Sequence, residues 1–255
     1  VTDGADSTLG NRFTITVPVS VTGQANTAPS FAPNAIEVAA GGDPTPYDIA
    51  GFATDSDPGD ELSFSNLTGI TGGLVASLDG STMTLSAGDG LKKGDTLQLT
   101  VTVSDGEAEV SGQIPVQIVA STRAKATANL DEREAQSGKE IEIDALANDV
   151  VDPKVGPLEL IDATVASNLG TITHDDTKVR FTPSAEFVGT ADLSYVVNDK
   201  LGDEDRKVTG KIRITVKDRP KPPAAPSPLE FGSKYVVLKW DPPDARGQAI
   251  TKYEV

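Results

Sequence analysis

Four aspartates, Asp55, Asp57, Asp60 and Asp105, are the residues whose type and spacing offer the clearest chemistry in this chain. Three of them sit in Thr54-Asp-Ser-Asp-Pro-Gly-Asp-Glu61, where Pro58 and Gly59 make a turn that bunches carboxylates together. The fourth opens Asp105-Gly106, at the end of an alternating apolar run. Carboxylates with backbone carbonyls beside them are hard oxygen donors, and calcium takes roughly 6 to 8 such ligands. Residues 31–121 hold 13 Asp and Glu against 2 Lys and Arg, so little local positive charge competes with a divalent cation. The same residues also make a good turn with no ion at all, because Asp-Pro-Gly-Asp is turn chemistry in itself.

Other chemistries are poorly served. With no cysteine there is no disulfide, thiolate nucleophile or Cys-ligated zinc. The one histidine, His174, stands beside Asp175 and Asp176 in a polar turn, where an oriented catalytic imidazole is not expected. Aromatic residues make up 5% of the chain, too few to line a sugar-stacking cleft around paired carboxylates. A net charge of −16 argues against nucleic acid as a partner. No apolar run approaches the ~18 to 20 residues of a membrane span, so no membrane insertion is expected. Asn66-Leu-Thr68 is a glycosylation sequon. No catalytic residue is singled out, and the stretch reads as non-enzymatic.

The elements that must position the aspartates alternate with a period of two. In Leu97-Gln-Leu-Thr-Val-Thr-Val-Ser-Asp-Gly106 the apolar positions fall on one face of a strand, and Asp-Gly ends it. The motif has counterparts at Val1 to Gly4 and at Ala191 to Asp199, a repeat of roughly 100 residues, which is one sandwich-sized unit. A second alternating run follows each copy, at Phe13 to Val19, Val110 to Val119 and Val208 to Val216. The reading is therefore residues 1–26 as the last strands of a preceding unit, 27–121 and 122–218 as complete units, and 219–255 as the first strands of another. Val1 and Val255 each fall inside a strand pattern, which reads as an interior stretch of a longer protein.

In a sandwich of seven strands the connection after the second strand and the one before the last lie at one end. That brings Asp55, Asp57 and Asp60 near Asp105, where the linker Asn26-Thr-Ala-Pro29 also enters. In the following unit Asp149, Asp152 and Asp199 are the expected equivalents. Pro157 stands near the place of Asp60, and Lys200 replaces the glycine, so a weaker cation site is expected there.

Ile143-Asp-Ala-Leu-Ala-Asn-Asp149, Leu158, Phe181-Thr-Pro183, Phe187-Val-Gly189 and Leu193-Ser-Tyr-Val-Val-Asn-Asp199 together resemble the tandem cadherin-like, immunoglobulin-like repeats of large bacterial surface proteins. The preceding unit is similar in a more divergent form. Pro226, Val236 to Trp240, Pro242-Pro243 and Ile250 to Val255 resemble the opening strands of a fibronectin type III domain, with Trp240 as its buried core indole. The resemblance implies an all-β chain of tandem immunoglobulin-like (cadherin-like) β-sandwiches in a linear array, extracellular or on the cell surface. It implies calcium at junctions, with Asp55, Asp57, Asp60 and Asp105 as the ligands here. The function implied is a non-catalytic spacer and adhesion segment of a secreted multi-domain protein. Its partners would be the neighbouring domains and a host or cell-surface glycan or protein. The alternative is an accessory region of a secreted polysaccharide-degrading glycoside hydrolase.

Overall fold

The computed structural model describes residues 15–18 and 25–254, so the motif expected at Val1 to Gly4 and both ends of the strand expected at Phe13 to Val19 lie outside the described residues, and Ile15 to Pro18 join no strand. From there the alternating runs become strands. The first sandwich is built from β1 (Ser30–Phe31), β2 (Ile36–Ala39), β3 (Thr45–Asp48), β4 (Ala53–Thr54), β5 (Ser63–Thr68), β6 (Leu74–Asp79), β7 (Thr82–Ala87), β8 (Thr96–Ser104) and β9 (Glu109–Val119). One sheet has the order β2-β9-β8-β5, the other β3-β7-β6, and β1 pairs with β4 at the rim. Strand β2 runs parallel to β9, while the remaining neighbours are antiparallel.

The period-two pattern explains the burial. In β8, Leu99, Val101 and Val103 are fully buried, and Leu99 and Val101 share one core with Met83 and Leu85 of β7 in the other sheet. The turn Asp79-Gly80 between β6 and β7 is a tight hairpin, with Gly80 at φ 56°.

The second sandwich repeats this order with β10 (Asp131–Gln136), β11 (Ile141–Asp144), β12 (Glu159–Thr164), β13 (Gly170–His174), β14 (Lys178–Pro183), β15 (Gly189–Asn198) and β16 (Val208–Lys217). Its sheets are β10-β16-β15-β12 and β11-β14-β13, with β10 parallel to β16. The sequence pattern does not announce β10. Its residues are DEREAQ, and only Asp131 and Ala135 are buried, so parallel pairing with β16 rather than an apolar face holds it.

Tyr195, at the centre of this core, is fully buried and pairs across the sheet with Gly210. A Cβ at Gly210 would lie 2.1 Å from Tyr195 Cζ, so only glycine lets the ring cross the neighbouring strand. The ring carries its hydroxyl to both carboxylate oxygens of Asp149, each at 3.0 Å. Burial pushes the Asp149 carboxyl up, and the Asn129 N–H and the Tyr195 hydroxyl oppose that. Tyr195→Phe should therefore cost the second sandwich on the order of 1.5 kcal/mol, read as a lower urea midpoint with an unchanged slope.

Beyond Lys217 the chain forms a two-stranded hairpin, β17 (Ser227–Phe231) and β18 (Val236–Lys239). Trp240 is partly exposed and packs edge-to-face on Tyr253, with centroids 5.7 Å apart. The sequence reading made it a buried core indole. Among the described residues no second sheet faces this hairpin to bury it.

Candidate metal centre

Strand β4 ends at Thr54 and β5 begins at Ser63, and the connection between them carries Asp55, Asp57 and Asp60. One carboxylate oxygen from each lies within 4.8 Å of the others. A cation with bonds of about 2.3–2.6 Å separates its ligands by up to roughly twice that length, so this spacing suits calcium. Asp55 Oδ2 is buried and has no hydrogen-bond partner among the described residues, so no protein donor competes there with a cation. Asp55 Oδ1 accepts the Asp57 backbone N–H at 2.7 Å, which holds the Asp55 carboxylate against the loop. Burial, and then the charges of Asp55, Asp57 and Asp105, push the Asp60 carboxyl above its ordinary value. The donors are all oxygen and all acidic, so the set fits a hard divalent cation.

Asp105 is near enough to act on Asp60 but is not one of the clustered three. Its Oδ1 accepts the N–H groups of Glu107 and Ala108, both at 2.7 Å, closing the turn between β8 and β9. The Ala108 and Glu107 N–H groups, together with the Asn26 amide, hold its carboxyl below the usual carboxylate range.

The incoming segment is gripped by the same acidic end. Thr27 N donates to Asp57 Oδ2 at 2.6 Å, and Asn26 Nδ2 donates to Asp105 Oδ2 at 3.1 Å. A cation at Asp55, Asp57 and Asp60 would therefore share a ligand residue with the linker.

Strand registers give the corresponding positions in the second sandwich. Ser30 pairs with Thr54 as Thr127 pairs with Val150, and Ser63 pairs with Ser104 as Glu159 pairs with Asn198. The stretches Thr54 to Ser63 and Val150 to Glu159 are equally long. Asp55, Asp57 and Asp60 thus correspond to Val151, Pro153 and Gly156, and Asp105 to Asp199. The sequence reading took Asp149 and Asp152 as the equivalents. They fall instead opposite Ala53 and Ser56, and their carboxylates serve Asn129 N at 2.8 Å and Lys154 N at 2.9 Å. Asp199 is 4% exposed and its Oδ2 meets Arg206 Nε at 2.6 Å. A fixed guanidinium stands where the first sandwich gathers carboxylates. Sequence reasoning missed Arg206; the only signal was a lone arginine closing the acidic loop Asp203-Glu-Asp-Arg206.

Residues 122–215 match the family model described as the bacterial Ig domain, and the chain carries immunoglobulin-like sandwiches in tandem. Among solved structures, an endo-fucoidan hydrolase from glycoside hydrolase family 107 aligns at 18% identity over 80% of this chain and 30% of its own, with a TM-score of 0.33. A three-Ig titin structure aligns at 15% identity over 85% of this chain and 77% of its own, with a TM-score of 0.39. Human protocadherin-24 EC1-2 aligns at 17% identity over 76% of this chain and 100% of its own, with a TM-score of 0.35. The chain spans less than a third of the hydrolase's length. No curated protein matches the chain.

Proposed function

We propose that this chain is a non-catalytic spacer and adhesion segment of a secreted or cell-surface multi-domain protein, and that calcium stiffens its first junction. The observation that carries this reading is the double use of the acidic end of the first sandwich. Asp57 both belongs to the clustered carboxylates and holds the backbone of Thr27, so an ion bound there would fix the incoming segment to the sandwich. Asp55, Asp57 and Asp60 would hold the ion, which would supply the positive charge that the cluster lacks. Asp105 would act from beside it, through Asn26.

Calcium at about 100 times its dissociation constant should stabilise the native first sandwich by about 2.7 kcal/mol. The melting transition of the full chain in excess calcium should rise by several degrees over that in EDTA, and its scattering profile should become more extended. Asp57→Asn combined with Asp60→Asn should abolish both changes while the chain without calcium still melts cooperatively. An unchanged melting temperature and scattering profile on adding millimolar calcium to the unaltered chain would reduce the cluster to a turn.

A further inference from the structure

The junction between the two sandwiches is built differently from the one ahead of it. Gly41, just after β2, adopts φ +61°, and a Cβ there would lie 3.0 Å from Val155 Cγ1 and 3.3 Å from Leu201 Cδ2. Backbone of the first sandwich thus rests directly on side chains from two loops of the second. Val155 is fully buried and Leu201 is 6% exposed, and both belong to the apolar cluster that contains Ile36, Val38, Ala40 and Leu91 of the first sandwich.

Charges of opposite sign ring this apolar contact. Arg123 Nη2 lies 2.6 Å from Asp43 Oδ2, and Lys154 pairs with the same carboxylate. Arg123 Nε also donates to the Gly41 carbonyl at 3.2 Å. Lys200 Nζ reaches Asp89 Oδ1 at 2.7 Å, and Lys93, one of the two cations in residues 31–121, reaches Asp205 Oδ2 at 2.6 Å. Behind the contact, Arg206 donates from Nη1 to the Arg123 carbonyl and from Nη2 to the Ala124 carbonyl, both at 2.9 Å, while its Nε holds Asp199. That guanidinium ties the connecting segment to the loop before the last strand, the task that the acidic set and an ion would perform one junction earlier.

We infer that the N-terminal end of the second sandwich is a docking surface for the C-terminal end of the first, keyed by Arg123, Lys154 and Lys200 around Val155 and Leu201, and that it holds the two sandwiches in one fixed orientation without a metal. Exposed ion pairs contribute little strength and are screened by salt, but they set register and reject a wrongly charged neighbour. The buried apolar contact at the centre is not screened by salt. The geometry of this junction is then independent of calcium, whatever the first junction binds, so the two junctions can fail or succeed separately in experiment.

The chain has no cysteine, so a spin-label pair can be placed across the junction in the full chain at the exposed positions Ser77→Cys on β6 and Thr171→Cys on β13. The expected result is one narrow distance distribution, the same in EDTA and in excess calcium, and retained in high salt. Asp43→Lys faces Arg123 and Lys154 with a third cation and should broaden the distribution, with far-UV circular dichroism unchanged. Val155→Ala with Leu201→Ala should broaden it too. Lys200→Asp alone should broaden it, and adding Asp89→Lys should restore the narrow form. A distribution that is broad in EDTA and narrows only with calcium would overturn the inference. So would a distribution that none of these substitutions changes.

Discussion

Arg206→Ala should destabilise the second sandwich by about 3 to 5 kcal/mol, the largest loss expected from any single substitution outside the apolar cores. Arg206 is 5% exposed, and its side chain replaces water for three acceptors at once: Asp199 Oδ2 at 2.6 Å and the Arg123 and Ala124 carbonyls at 2.9 Å. Truncation leaves a carboxylate with a 1% exposed side chain facing no counter-charge, and strands both carbonyls without a donor. The Asp199 Oδ1 bond to Leu201 N at 3.2 Å cannot compensate, because it already exists. Arg206→Lys should recover only part of the loss, since an ammonium cannot span three acceptors in the fork geometry of a guanidinium. Hydrogen exchange read residue by residue separates this from damage to the first sandwich. Protection should fall throughout β15 and β16 in Arg206→Ala while β8 and β9 hold theirs. A loss within about 1 kcal/mol of zero would mean that water re-enters the loop and hydrates Asp199, and that the buried pair adds little.

The strands were legible in the sequence because burial on one face of a sheet writes itself as alternation. Leu99, Val101 and Val103 in β8 and Leu193, Tyr195 and Val197 in β15 point inward at every second position. Strand β10 was not legible, because an edge strand needs only two inward residues and these are Asp131 and Ala135. The acidic turn at Asp55 to Asp60 could be read from composition, since its three clustered carboxylates come from one short loop. Asp105 joined them in the sequence reading by topology, but an Asp two and three residues ahead of free backbone N–H groups captures those first.

The second junction was illegible for a different reason. Gly41 and Val155, or Lys93 and Asp205, meet only because two complete sandwiches abut, and no periodicity within either unit encodes that meeting. The misplacement of Asp149 has a related cause. Acid residues in similar loops look equivalent in sequence, whereas the bridge between Thr127 and Val150 puts Asp149 ahead of the stretch that corresponds to Asp55 to Asp60. Only the register distinguishes a carboxylate that receives Tyr195 from one that faces a junction.

Asp131→Asn should stabilise the second sandwich at neutral pH, by about 3 kcal/mol. Asp131 is 2% exposed on β10, and its Oδ2 is buried without a hydrogen-bond partner among the described residues. Burial raises its pKa from 3.8 to about 6, opposed by Arg133, whose Nη2 lies 3.7 Å from Oδ1, and reinforced by the charges of Asp149 and Asp144. A carboxyl whose pKa is higher folded than unfolded binds protons more tightly in the native state. Its contribution is therefore fully present below about pH 3.8 and is lost as the pH climbs through about 6. A tenfold change in proton affinity is worth about 1.4 kcal/mol, so a carboxyl that holds its proton roughly a hundredfold more tightly when folded costs the native state about 3 kcal/mol once it ionises. Asparagine keeps the shape and never ionises. The gain of Asp131→Asn over the unaltered chain should be near zero at about pH 4, grow through about pH 5 to 6 and level off above about pH 7, measured as the difference in urea midpoint at each pH. Other carboxylates titrate in the same range, but they are common to both proteins, and all except Asp149 and Asp144, whose charges reach Asp131, cancel in the difference. A difference that stays flat from acid to neutral pH would show that Arg133 keeps Asp131 ionised throughout, and that the buried carboxylate is balanced rather than strained.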